Sequence, residues 1–131
     1  MSPIPKIPTT RQTVMLALMG ALFWFAAALV VRWTAAGWTG RDGATVLVFV
    51  LIVIATIPAL FMGARVAGVG REQFLAMGAI MVGVAALLDS IALTWFRPLY
   101  GTDPAIVLAG AAAILWGAGI ALVVGIVLQR R

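Results

Sequence analysis

The sequence predicts an all-α membrane protein: four transmembrane helices in an up-down bundle, with N and C termini cytoplasmic. Composition, run length and the placement of charge each lead there. Of 131 residues, 64% are hydrophobic and 10% charged, against roughly 25% charged in a soluble domain. A water-soluble fold of this length cannot hide so much apolar surface. Four apolar runs are near the roughly 20 residues that cross about 30 Å of hydrocarbon. They cover 12–32, 44–63, 73–95 and 105–128. The connections between them are too short to hold an extramembrane domain, so 1–131 reads as a single transmembrane domain in which sequence neighbours are expected to pack side by side.

The first span leaves room for an extension to Ala36. Its apolar stretch is longer than the 7–15 residues of a signal-peptide core, and Arg32 and Trp33 follow it directly, which fits a retained span. The second span contains Pro58, which removes the amide partner of the Ile54 carbonyl and is expected to kink the helix. Ahead of it, Asp42 is placed to cap the first amides. The third span begins beside Glu72, where the helix dipole favours an acid. The fourth follows Asp103 and Pro104, a cap and then Pro at the first helical position. Along it Ala105, Ala109, Ala113, Gly117, Ala121 and Gly125 recur every fourth residue, a stripe that lets helix backbones approach closely. Packing within the chain is expected ahead of pairing with a second copy. Trp116 stands among these small residues, and its indole N–H calls for a hydroxyl or carbonyl on a neighbouring helix.

Orientation follows from positive charge. Lys6, Arg11, Arg65, Arg71, Arg130 and Arg131 fall on the side of the termini; Arg32, Arg41 and Arg97 fall on the other. Trp33, Trp38, Trp95, Phe96 and Tyr100 gather at that second boundary, where amphipathic rings prefer to sit. Arg65 and Arg71 are placed to meet anionic lipid headgroups.

Asp89 stands apart from the other acids because no helix starts there. A carboxylate at the centre of a membrane helix costs about 2.5–3.5 kcal/mol on insertion scales, and an intramembrane acid is a site hypothesis to be stated with its partner. Asp89 precedes Trp95 by six residues, about 9–10 Å inside the outer boundary. Arg32 reaches similar depth on the first helix, on the Trp24–Ala28–Arg32 face. An intramembrane polar pair, Asp89 with Arg32, is therefore the expected arrangement, with Arg97 the weaker partner. Ala85, Ala86 and Ala92 surround Asp89 on its helix and permit close approach. Trp24, Trp116, Ser90 and Thr94 are further pocket or packing residues.

These features are similar to those of small four-span bacterial inner-membrane proteins grouped as a domain of unknown function. The resemblance rests on Arg32 after Ala27-Ala28-Leu29-Val30-Val31, on Ile57-Pro58, on Leu88-Asp89-Ser90-Ile91-Ala92-Leu93 and on Leu115-Trp116-Gly117-Ala118-Gly119. It implies a multi-pass location in the bacterial cytoplasmic membrane and supplies no activity. Small multidrug transporters share the length and span number, but rely on a Glu in the first helix that is missing here. Fluoride channels and thiol-quinone enzymes fit less well, the latter because they need cysteine.

Cysteine and histidine are both absent, which removes thiol chemistry, disulfides and ordinary zinc sites. No cofactor, metal site or catalytic residue is expected: Ser90 and Thr94 share a face with no base to activate them. The basic residues form no stripe interleaved with aromatics, so nucleic acid is not a partner. The expected partners are the lipid bilayer and another membrane protein or a second copy of the chain. The favoured reading is a non-enzymatic bundle acting as an accessory or assembly partner. The alternative is a small proton- or cation-coupled transporter working as a homodimer, with Asp89 as its coupling carboxylate.

Overall fold

The computed structural model describes Ile4 and residues 6–130; Arg131, counted above among the terminal charges, lies outside them. Among the described residues four helices carry the fold. These are α1 (Thr10–Trp38), α2 (Asp42–Ala67), α3 (Phe74–Trp95) and α4 (Pro104–Leu128). All four are long and apolar enough to cross a membrane. Short 3-10 turns, Arg71–Gln73 and Arg97–Leu99, precede α3 and follow it. With 29 residues, α1 is about 43 Å long, so its ends project beyond the hydrocarbon.

Local chemistry sets the boundaries. Thr9 and Gln12 close a reciprocal capping box at the start of α1, which satisfies two otherwise orphaned amides. Asp103 Oδ1 accepts the Ala105 amide at 2.8 Å, with Pro104 opening α4 as expected. Asp42 behaves differently from expectation: Arg41 holds the cap position, no side chain caps α2, and Asp42 sits in the first turn. There its charge still complements the helix dipole. At the far end of α2, Gly68 adopts φ +68°, the left-handed conformation that glycine takes without penalty. Pro58 lies inside α2, which is continuous through it.

The helices do not pack in chain order. The principal contacts join α1 to α3, α2 to α4, α3 to α4 and α1 to α2, whereas α2 and α3 touch little. Around the bundle the order is therefore α1, α3, α4, α2. The expectation that every sequence neighbour is a spatial neighbour fails for α2 and α3, which lie diagonally. Glycines explain the choice of partners. A Cβ on Gly20 of α1 would lie 2.7 Å from the Met81 carbonyl oxygen of α3, so these two backbones nearly touch. A Cβ on Gly125 of α4 would lie 3.2 Å from the Phe74 carbonyl oxygen of α3. Close backbone approach gains dispersion contacts where lipid supplies no hydrophobic drive.

The α4 stripe packs inside the chain from Ala109 onward, whereas Ala105 is exposed. Ala113 and Gly125 are buried, Gly117 faces Ile52 of α2, and the Ala121 carbonyl faces Gly78 of α3. Apolar packing forms two clusters. One gathers Leu16, Leu60, Phe74, Met77 and Met81 near the chain termini. The other, around Ala28, Val31, Trp38, Ala92 and Tyr100, fills the opposite half.

Candidate functional site: a carboxyl shared by Trp24 and Tyr100

The parallel pairing of α1 with α3 places the polar residues. Gly20 lies level with Met81, so eight residues further on Asp89 falls level with Ala28. Trp24 is then one turn to one side and Arg32 one turn to the other, each about 6 Å away along the axis. Asp89 turns towards Trp24. The indole Nε1–H donates to Asp89 Oδ1 at 2.7 Å. The Tyr100 hydroxyl donates to the same oxygen, and lies 3.1 Å from Trp24 Nε1. Indole, phenol and carboxyl thus form a closed triangle joining α1, α3 and the connection before α4.

Arg32 does not join it. The expected Asp89–Arg32 pair is not formed: the Arg32 guanidinium donates instead to the Pro98 carbonyl. Among the described residues the ion pair found is Lys6–Glu72, at 3.7 Å and at the other end of the bundle. The reason is electrostatic. Arg32 is exposed and keeps its charge at the boundary, where a free carbonyl of a 3-10 turn offers an acceptor. Drawing the guanidinium one turn inward would add a desolvation cost of several kcal/mol. Two neutral donors reach the carboxyl without that cost. Arg97 also stays away, its Nε 3.3 Å from the Leu93 carbonyl of its own helix.

Tyr100 lies in the connection at the end of the bundle where the sequence puts it, but inside the packing. It was expected among the interfacial rings; it is fully buried, as is most of Trp38. Trp33, Trp95 and Phe96 keep the exposure expected of a boundary belt. The turn Arg97–Leu99 folds the chain back and carries Tyr100 inward over the end of α3, towards Asp89 eleven positions earlier. A tyrosine next to a glycine, Gly101, was the available signal: Gly101 takes φ +149° and lets the chain turn in a way that other residues resist. Burial, and next the bond to Asp89, push the Tyr100 hydroxyl above the ordinary phenol range. It therefore remains a donor.

The remaining candidates are separate from this triangle. Thr94 Oγ1 donates to the Ser90 carbonyl at 2.7 Å along its own helix, and both residues are exposed. That bond is the usual back-bonding of a hydroxyl within a helix and activates nothing. Trp116 Nε1 donates to the Phe49 carbonyl of α2 at 3.1 Å, with its ring 5.4 Å from the Phe49 ring. The expected carbonyl acceptor on a neighbouring helix is present. Trp116 borders a shallow apolar groove of about 330 Å³ with Thr45, Val46, Phe49, Val50 and Val53, and Trp24 is not among its lining residues. The two tryptophans do not line one pocket.

At the opposite end, polar side chains tie helix termini together. Gln12 Nε2 donates to the Gly68 carbonyl at 2.8 Å. Arg71 Nε donates to the Leu128 carbonyl at 3.0 Å, and the Leu75 amide donates to Gln129 Oε1 at 2.9 Å. Arg71, read from the sequence as a headgroup contact, satisfies a carbonyl at the end of α4 through its Nε.

Comparison of the chain with family models, with characterised proteins and with solved structures found no match. The arrangement of Asp89, Trp24 and Tyr100 therefore stands on its own geometry.

Proposed function

We propose that this chain is a multi-pass protein of the bacterial inner membrane, with both termini cytoplasmic. In this reading it is a non-enzymatic helical bundle that serves as an accessory or assembly partner to another membrane protein. The observation that carries the reading is the closed triangle at Asp89. Its carboxyl is bonded to Trp24 and Tyr100 of the same chain, and the groove beside Trp116 is not lined by it. A polar group used in this way fixes which helices pack together. The six-to-three division of positive residues supports the orientation, and four helices long and apolar enough to cross a membrane support the multi-pass location.

A second reading keeps one specific observation in its favour. Among the described residues no cation lies within ion-pair distance of Asp89, so its charge is free to be met by a proton or a small cation. This is the proton- or cation-coupled transporter, acting as a homodimer. Reconstitution of the purified chain into liposomes loaded with a pH-sensitive dye separates the two. The accessory reading expects no flux of protons or lipophilic cations above that of empty vesicles. Flux that Asp89→Asn abolishes would establish the transporter in its place.

A further inference from the structure

We infer that the groove between the first turn of α1 and the last turn of α2 holds the phosphodiester head of an anionic phospholipid. The groove has a volume of about 320 Å³ and is lined by Arg11, Arg65, Gln12, Thr9, Gly68 and the apolar trio Met15, Val66 and Ala67. Two guanidinium groups border it and no acid does. Both arginines are exposed, and neither forms an ion pair among the described residues. Glu72, the acid at this end, is engaged by Lys6.

The floor of the groove is fixed by the polar bonds already described. Gln12 Nε2 bridges from α1 to the Gly68 carbonyl at 2.8 Å, and the Thr9 hydroxyl accepts the Gln12 amide at 3.3 Å. These bonds hold the two helix ends at one spacing and leave the arginines free to accept an outside anion. The lining is also graded along the helix axes. Arg11 lies at the terminal edge, while Met15 stands one turn deeper along α1, towards the hydrocarbon. A glycerophospholipid has that same order: phosphate at the surface, then glycerol, then acyl chain. Guanidinium groups bind phosphate oxygens in a bidentate fork, and basic clefts between helix ends are a recurrent form of lipid headgroup site. The shared chemistry with free phosphate is the anion alone; the apolar wall selects the lipid.

The test uses the full chain in nanodiscs of equal phosphatidylglycerol and phosphatidylcholine, extracted into mild detergent, with retained lipids counted by native mass spectrometry. The wild-type chain is expected to retain phosphatidylglycerol in preference to phosphatidylcholine. A basic residue near an anionic surface contributes about 1 kcal/mol, so Arg11→Gln and Arg65→Gln are each expected to lower that preference about fivefold. Arg11→Lys with Arg65→Lys keeps the charge, loses the bidentate fork, and is expected to retain an intermediate preference. Arg41→Gln with Arg97→Gln, at the opposite end of the bundle, is expected to change nothing. Millimolar inorganic phosphate is expected not to displace the lipid. An unchanged preference in the Arg11→Gln, Arg65→Gln double variant would overturn the inference. So would an equal loss in the Arg41→Gln, Arg97→Gln variant, which would assign the effect to net charge. Displacement by inorganic phosphate would do the same, since it would show a free-anion site.

Discussion

Gly20 of α1 and Met81 of α3 run so close that a methyl group on the glycine would collide with the methionine backbone. This contact brings Trp24 within reach of Asp89, because both lie further along the same parallel pair. Gly20→Val is therefore expected to force the helices apart and to lower stability by about 1–3 kcal/mol, the usual cost of overpacking. Gly83→Ala, with open space around its position, is expected to be neutral. Unfolding followed by circular dichroism in mixed micelles measures both.

The triangle at Asp89 predicts a coupling that an ion pair would not give. Tyr100→Phe and Trp24→Phe each remove one donor to the carboxyl and are expected to cost about 1.5–3 kcal/mol, the range for hydrogen bonds to a charged group. The two effects are expected to be non-additive in a double-mutant cycle, since both donors share one oxygen. Arg32→Gln is expected to cost less than either, because it loses a bond to a carbonyl at an exposed site. An Arg32→Gln variant as unstable as Tyr100→Phe would restore the ion-pair view.

Tyr100 is the sole tyrosine of the sequence, so its ionisation can be followed by ultraviolet absorbance without interference from another phenol. Burial and the neighbouring carboxyl raise the folded-state value above the ordinary one of about 10. Its protonated form is therefore favoured by folding. The associated stability is fully present below about pH 10 and is lost as pH rises towards the folded value. Tyrosinate absorbance is expected to stay low through the ordinary titration range and to appear on unfolding. Asp89→Asn is expected to move the titration part of the way back, since burial, the larger cause, remains.

Gly68 ends α2 in the left-handed region, and its carbonyl accepts from Gln12. Gly68→Ala is expected to cost about 1–2 kcal/mol from backbone strain alone, whereas Gly43→Ala in the first turn of α2 is expected to cost nothing. Thermal unfolding of the two variants gives the comparison.

Much of the fold was legible in the sequence because hydrophobic length and cap chemistry are local. Four spans follow from the apolar runs, Asp103 and Pro104 marked the start of α4, and the four-residue stripe of α4 marked a packing face. The carboxyl at Asp89 was also legible as the polar centre of the bundle. Its partner was not. Charge and depth favoured Arg32, yet the choice between Arg32 and Trp24 depends on an axial offset of one turn, set by Gly20 against Met81. Tyr100 was hidden for a related reason: its burial depends on a tertiary fold-back of the connection after α3. Helix order around the bundle is likewise non-local, because short connections permit either an adjacent or a diagonal neighbour.

The diagonal placement of α2 and α3 bears on biosynthesis. A ribosome that has released only the first two helices has made α1 without the surface that Gly20 fits, and Trp24 without its acceptor. That half-made chain cannot reach its final pairing until the third helix leaves the translocon and slides in alongside the first. The bundle is thus incomplete until the third helix is present, and a truncated product ending after α2 keeps an unsatisfied indole and an open glycine seam.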